Sequence, residues 1–277
     1  MKAFVLGGSR NIGYYAAIRL LNQGATVTFL LRYPSVFDQD ATIQKFVKDG
    51  KARLVKGDAL NAEDVARGWE EARKGDDNSV DLVLFTVGSR QRKIHLTKGA
   101  IIDTPDLCTK SLVNVLSTTP ADLRTPSSLP RFITISSIGV TRASHEKLPF
   151  LLKPLYAFLL REPHADKLGA ERVAAHVAGW DWRDEEPSTE VLGAGWQSQA
   201  GLPEQGQFKR FLVVRPAMLT SGECKADNAG DKAPYRVSEE DICNGYTVSR
   251  QDVAHFVVED ALRNWDRWEG KRVNIVY

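Results

Sequence analysis

The sequence predicts an α/β protein whose mostly parallel sheet is doubly wound, with helices on both faces. Three observations predict this class. Strand-like and helix-like segments alternate along the chain, the pattern of repeated βαβ units. The strand-like runs are apolar on consecutive residues, as in strands covered on both faces. A glycine-rich turn joins the first strand to the first helix.

The elements follow in order. Lys2 to Leu6 is a short apolar run and the first strand. From Ile12 to Asn22 the apolar residues Ile12, Tyr15, Ala16, Ile18 and Leu21 recur at helical spacing, and Gly24 is placed to end that helix. Ala25 to Leu31, apolar and β-branched, is the second strand, and Arg53 to Val55 the third. Asp64 to Arg73 reads as a helix and Val80 to Val87 as a fourth strand. Pro105 to Leu116 reads as a helix with Thr104 as N-cap and Pro105 in first position. Arg131 to Ser136 is a fifth strand, Asp166 to Ala178 a helix, and Phe211 to Arg215 a sixth strand stopped by Pro216. Asp252 to Trp265 is a late helix and Arg272 to Val276 the last strand. Asp181 to Gln207 breaks the pattern with four glycines, two prolines and little periodicity, and reads as a loop insertion. No repeat or linker divides the chain, so residues 1–277 read as a single domain.

Composition narrows the function. A net charge of +2 and no run of five like charges argue against a nucleic-acid partner. Cys108, Cys224 and Cys243 are odd in number and widely spaced, as free thiols in a reducing compartment are. The five histidines show no ligand spacing, so no metal site is expected. The apolar start of the chain is too short for a signal-peptide core. The apolar window Leu148 to Leu160 is shorter than a membrane span and holds Lys153. The reading is a cytoplasmic protein without membrane segments, acting on a small molecule as a monomer or homodimer.

The turn Leu6-Gly7-Gly8-Ser9-Arg10-Asn11-Ile12-Gly13 carries the strongest functional signal. Gly7 permits the tight turn and Gly13 close helix–strand packing, while free amides at the helix start face a pyrophosphate. Strand, turn, helix and second strand follow within about 30 residues, the length of one βαβ unit. The alternative is a tight turn with no ligand. NAD-binding folds carry an acid about 20 residues on, for the ribose 2′-hydroxyl. Here Leu31-Arg32 stands instead. An acid would repel a 2′-phosphate, whereas Arg32 offers a planar cationic fork, so NADP(H) is expected in preference to NAD(H), with Arg10 assisting. A solvated surface role is the alternative for Arg32. Asp58, after the third strand, reads either as an adenine contact or as turn chemistry.

With these residues in view, the sequence resembles the short-chain dehydrogenase/reductase superfamily, in its atypical branch of NmrA-like and biliverdin-reductase-B-like Rossmann proteins. The resemblance runs over nearly the whole chain. It is carried by the turn at 7–13, Gly57-Asp58, Phe85-Thr86-Val87-Gly88, Ile135-Ser136-Ser137, Asp166-Lys167 with Glu171, Val214-Arg215-Pro216-Ala217 and Ser249-Arg250-Gln251-Asp252-Val253-Ala254. It implies seven parallel strands and a substrate site above their ends, near 89–104, 138–165 and 217–248. The implied cofactor set is Gly7, Ser9, Arg10, Asn11, Ile12, Gly13, Arg32, Asp58, Ala59, Thr86, Val87, Gly88, Lys167, Pro216 and Ala217. Asn11 replaces the usual middle glycine of the turn, and Asn tolerates left-handed backbone better than most residues.

The active-site pattern departs further. The superfamily uses Ser, Tyr and Lys, with Tyr four residues before Lys. Lys167 matches the lysine and Ser137 the serine, with Ser136 a one-residue alternative, but Pro163 stands where the tyrosine belongs. His164, Tyr156 and Lys167 itself are the candidate acids. Their plainer readings are a capping residue for His164, a core aromatic for Tyr156 and a ribose contact for Lys167. The basic stretch Ser89 to His95 reads as a solvated loop, or as a contact for an acidic ligand. Leu148 to Leu160 and the tryptophans Trp180, Trp182 and Trp196 are either an apolar pocket with a lid or ordinary core and packed loop. The leading expectation is an NADPH-dependent oxidoreductase that transfers hydride to a small or medium apolar carbonyl, imine or conjugated alkene. An NADP(H)-binding redox sensor without turnover and a cofactor-dependent isomerase or lyase are the alternatives.

Overall fold

In the computed structural model β1 (Lys2–Leu6) is an interior strand of an eight-stranded sheet. The structure describes residues 1–75, 77–89, 91–95, 99–142, 145, 160–230 and 234–277, with the backbone alone for 91–95 and 99–102. The strands are β2 (Thr26–Leu31), β3 (Ala52–Lys56), β4 (Leu82–Phe85), β7 (Arg131–Ile135), β8 (Phe211–Pro216), β10 (Arg236–Ser238) and β12 (Lys271–Val276). Between the fourth and seventh lie β5 (Gln91–His95) and β6 (Gly99–Ile102), which pair antiparallel outside the main sheet. Across the main sheet the order is β10-β12-β8-β7-β4-β1-β2-β3. The chain therefore winds outward in one direction from β1 to β3 and in the other from β4 onward. Such a reversal between neighbouring strands opens a crevice at their carboxyl ends.

The apolar runs explain the layering. Successive residues of a strand point to opposite faces, so an all-apolar strand needs cover on both. On one face Ala3, Val5, Val27, Phe29, Leu82, Leu84, Ile133 and Val214 pack with α1 (Asn11–Asn22) and the helical run from Arg250 onward. On the other, Phe4, Leu6, Val83, Phe85, Phe132 and Phe211 meet α3 (Ala62–Arg73), α4 (Leu107–Ser117) and α5 (Arg161–Ala178). A short α2 (Ala41–Lys48) precedes β3.

Several expectations need correction. The main sheet has eight strands where seven were expected, because β10 adds an antiparallel edge to β12. Arg-Val-Ser is too short and polar to show a strand pattern. The stretch read as a loop near Gln91 forms the β5–β6 hairpin. Helix α4 starts at Leu107, since Leu107 N–H turns back to Thr104 O at 3.3 Å. Its first amides, Cys108 and Thr109, donate to the buried Asp166 carboxylate of α5 at 2.8 and 2.9 Å. Helix α5 begins at Arg161 and runs through Pro163. Proline is tolerated there because amides of the first turn have no intrahelical acceptor.

The late helix is also broken. It comprises α6 (Arg250–His255), a π-helical turn Phe256–Ala261 and α7 (Trp265–Trp268). Two short strands, β9 (Met218–Thr220) and β11 (Thr247–Ser249), pair parallel beside it. Asp181 to Gln207 has one 3₁₀ turn, Trp196–Ser198, and no α-helix or strand. Arg172 of α5 holds it through Glu186 at 2.9 Å and through the faces of Trp182 and Trp196. Among the described residues no helix is long and apolar enough to cross a membrane.

Candidate cofactor cleft

The crevice above β1 and β4 holds a cleft of about 580 Å³, within the size range of small-molecule sites. Its floor is built by close approach of two loops. Gly7, at φ +80°, comes so near the Thr86–Val87 peptide that a Cβ would sit 2.6 Å from the Thr86 carbonyl carbon. Thr86 is tied beneath the turn by its N–H and hydroxyl, both donating to Leu6 O at 2.9 and 3.0 Å. A Cβ at Gly13 would strike the Thr86 hydroxyl and lie 2.7 Å from Gly7 O. Asn11, at φ 56°, adopts the left-handed conformation that the missing middle glycine would have taken.

This geometry leaves donors open to a ligand. The first backbone bond of α1 is Tyr14 N–H to Arg10 O at 3.3 Å, so Asn11, Ile12 and Gly13 precede it. No side chain caps them. A diphosphate suits this position, because amide donors and the positive helix end act together. Gly88, opposite, has nothing within 4 Å of a notional Cβ, which leaves room for a cofactor ring against the backbone.

The cleft lining includes Gly7, Ser9, Arg10, Asn11, Ile12, Gly13, Arg32, Asp58, Ala59, Thr86, Val87, Gly88 and Lys167. Arg32 is exposed at the end of β2 and has no acidic partner among the described residues. Lys167 reaches from α5 to donate to Val87 O at 3.0 Å and Ile135 O at 2.7 Å. It thereby ties together the ends of β4 and β7. Asp58 accepts from Leu60 N–H at 3.0 Å, the turn chemistry that was the alternative for it. Among the described residues the ionic lining is mainly cationic, Arg10, Arg32, Lys167 and Arg250 with the single carboxylate of Asp58.

Other candidates fall elsewhere. Ser136, the alternative to Ser137, lines the cleft, whereas Ser137 does not and donates to Ile138 O at 3.1 Å. His164 is not part of the lining either, and burial pushes its imidazole down to about 4, so it is neutral near pH 7. Pro216 and Ala217 are buried at the end of β8, with Ala217 N–H donating to Ile275 O at 3.0 Å, and line no part of the cleft. Tyr156 and residues 148–159 lie outside the described residues. Trp180, Trp182 and Trp196 are not among the lining residues: Trp180 packs against Phe211, Trp182 against Arg172 and Trp196 against His176, the contacts of a packed loop.

A network beneath the cleft escaped the sequence reading. Glu171, one turn after Lys167 on α5, is buried and accepts from Ser136 Oγ at 2.5 Å, Arg215 Nε at 3.0 Å and Arg215 Nη2. Burial alone raises the Glu171 carboxyl pKa, but the Arg215 guanidinium, with the Ser136 hydroxyl and the Arg272 charge, outweighs that and holds it low. The sequence signal was an arginine inside the apolar strand β8 and a glutamate on a helix face otherwise rich in alanine and valine. Tyr33, Ser35 and Val36 beyond β2, and Arg250 on α6, also line the cleft without having been foreseen. Cys108 and Cys224 are buried thiols pushed up to about 12 by that burial, which removes them as nucleophiles.

Fold and cleft together define a dinucleotide-binding protein of the Rossmann type. Comparison with known proteins agrees: residues 7–183 match the family described as NAD(P)H-binding, and the chain belongs to that family. It is similar to Reductase pytE of Aspergillus terreus, 28% identical over 93% of this chain and 90% of the relative. It is also similar to Oxidase pynE of Aspergillus niger, 23% identical over 94% and 89%. Among solved structures, the yeast methylglyoxal/isovaleraldehyde reductase complexed with NADPH superposes with a TM-score of 0.58 at 14% identity, covering 100% of this chain and 78% of that one. ChuY, an anaerobillin reductase from Escherichia coli O157:H7, gives 0.56 at 16% identity, covering 100% and 97%. The structural likenesses establish the fold, and the family match establishes an NAD(P)H-binding protein.

Proposed function

We propose that the protein is an NADPH-dependent reductase acting on a small or medium, fairly apolar carbonyl, imine or conjugated alkene. The observation that carries this reading is Arg32, a cation without an acidic partner among the described residues, in the same cleft as the open amides of Asn11 to Gly13. Bound there, NADPH supplies a hydride. The chain's own residues bind, orient and hold protons. The helix start receives the diphosphate and Arg32 the 2′-phosphate. Lys167 donates to Val87 O and Ile135 O, and its ammonium has a third N–H for a ribose hydroxyl or an acceptor oxygen. Ser136 directs its hydroxyl hydrogen into the Glu171 carboxylate, so at the cleft it accepts hydrogen bonds. A cytosolic setting, with the chain working as one unit, completes the reading.

The test is a fluorescence titration of the purified protein with NADPH and NADH, followed by oxidation assays over a panel of carbonyls, imines and enones. Tight NADPH binding with substrate-dependent oxidation is expected. Pro163, in place of the superfamily's tyrosine, favours a second reading, an NADP(H) sensor without turnover. Tight binding without oxidation across the panel, with a partner affinity that differs between NADP⁺ and NADPH, would select it.

A further inference from the structure

We propose that Arg250 is a cofactor-binding cation that grips the diphosphate, so that the C-terminal third of the chain shares the anion site with the N-terminal turn. This rests on the reading of the cleft as a dinucleotide site. Arg250 lines the cleft together with Arg10, Asn11 and Ile12. It does so because α1 and the helical run from Arg250 lie side by side and point the same way. Their first residues border the cleft, and further along Gln23 Nε2 donates to Glu259 Oε1 at 2.9 Å. Arg250, the first residue of its helix, therefore borders the same cleft as the amides that open α1.

Its side chain is already held in place. Nη1 donates to Leu219 O at 3.3 Å and Ser221 Oγ at 3.2 Å, which fixes the guanidinium against β9. Among the described residues no carboxylate pairs with it, and its Nε and Nη2 hydrogens have no acceptor. A guanidinium fixed at one nitrogen and free at two is prepared for a bidentate oxyanion, with little rotamer freedom left to lose. Arg32 sits at the end of β2, at the adenosine side, so the two arginines divide the work. Arg32 recognises the phosphate that distinguishes NADP(H), and Arg250 the diphosphate that both dinucleotides share. A carboxylate on the substrate is the other oxyanion that this chemistry would take.

Titrations of wild type, Arg250→Gln and Arg250→Lys with NADPH, NADH and adenosine 2′-monophosphate separate these cases. Arg250→Gln should weaken NADPH and NADH by the same factor, roughly tenfold to a hundredfold. The 2′-monophosphate lacks a diphosphate, so its affinity should not change, which also reports that the cleft is still folded. Arg250→Lys should recover part of the loss. Unchanged binding of both dinucleotides would overturn the proposal and turn attention to a substrate carboxylate. An equal loss for the 2′-monophosphate would overturn it as well, by showing general damage. Wild type that binds neither dinucleotide would instead remove the cofactor reading on which the proposal stands.

Discussion

Arg32 and the Glu171–Arg215 pair show how much depends on single side chains. Arg32→Glu places a carboxylate where a 2′-phosphate is proposed to lie. NADPH affinity should fall tenfold or more while NADH affinity changes little, read by cofactor fluorescence; equal losses would sink the 2′-phosphate role. Arg32 was legible because the residue after the second strand of a βαβ unit has a defined job. Glu171 was not, because its partner Arg215 is 44 residues away and only folding brings the two together. Removing one member of a buried pair strands the other charge, so Glu171→Leu should cost about 3–5 kcal/mol in urea unfolding. Glu171→Leu with Arg215→Met should restore much of that, and failure to do so would mean that packing, not charge, dominates there.

At the scale of elements, the turn into α1 and the start of α4 behave differently. The turn is local. Gly7, Asn11 and Gly13 carry its geometry within a few residues, and the sequence shows it directly. Gly13→Ala should force Thr86 or the turn to move, lowering stability by about 1–3 kcal/mol and weakening both dinucleotides together. Wild-type affinity in that variant would show that the Thr86 loop yields easily. The start of α4 is not local. Its amides are capped by Asp166, a residue of α5, so a reading from Thr104 and Pro105 chose the wrong first residue. The same holds for β10, whose short polar sequence pairs only because β12 is presented to it.

Over the whole molecule, stability should depend on pH through His164. Its folded pKa is pushed down to about 4 from an ordinary 6.5, first by burial and then by His145. Between these values the unfolded chain binds more protons, so stability rises with pH across that window. The contribution is complete above about pH 6.5 and is lost as the pH falls toward 4. Urea midpoints from pH 4 to 7.5 should show this slope, and His164→Phe should flatten it. A slope equal in both proteins would assign the dependence to other groups.

By itself, the sequence determined the doubly wound class, the strand order of events along the chain and the position of the glycine turn. Each is written in neighbours: apolar runs of the length of a strand, helical spacing, and a turn whose backbone needs residues without a side chain or with one that tolerates left-handed φ. Tertiary structure alone decided which of Ser136 and Ser137 faces the cleft, that Lys167 bridges β4 and β7, that Glu171 meets Arg215, and that Arg250 lines the same cleft as the start of α1. Those are contacts between segments far apart in the chain. They follow from sheet order and helix packing, which no local pattern of residues encodes.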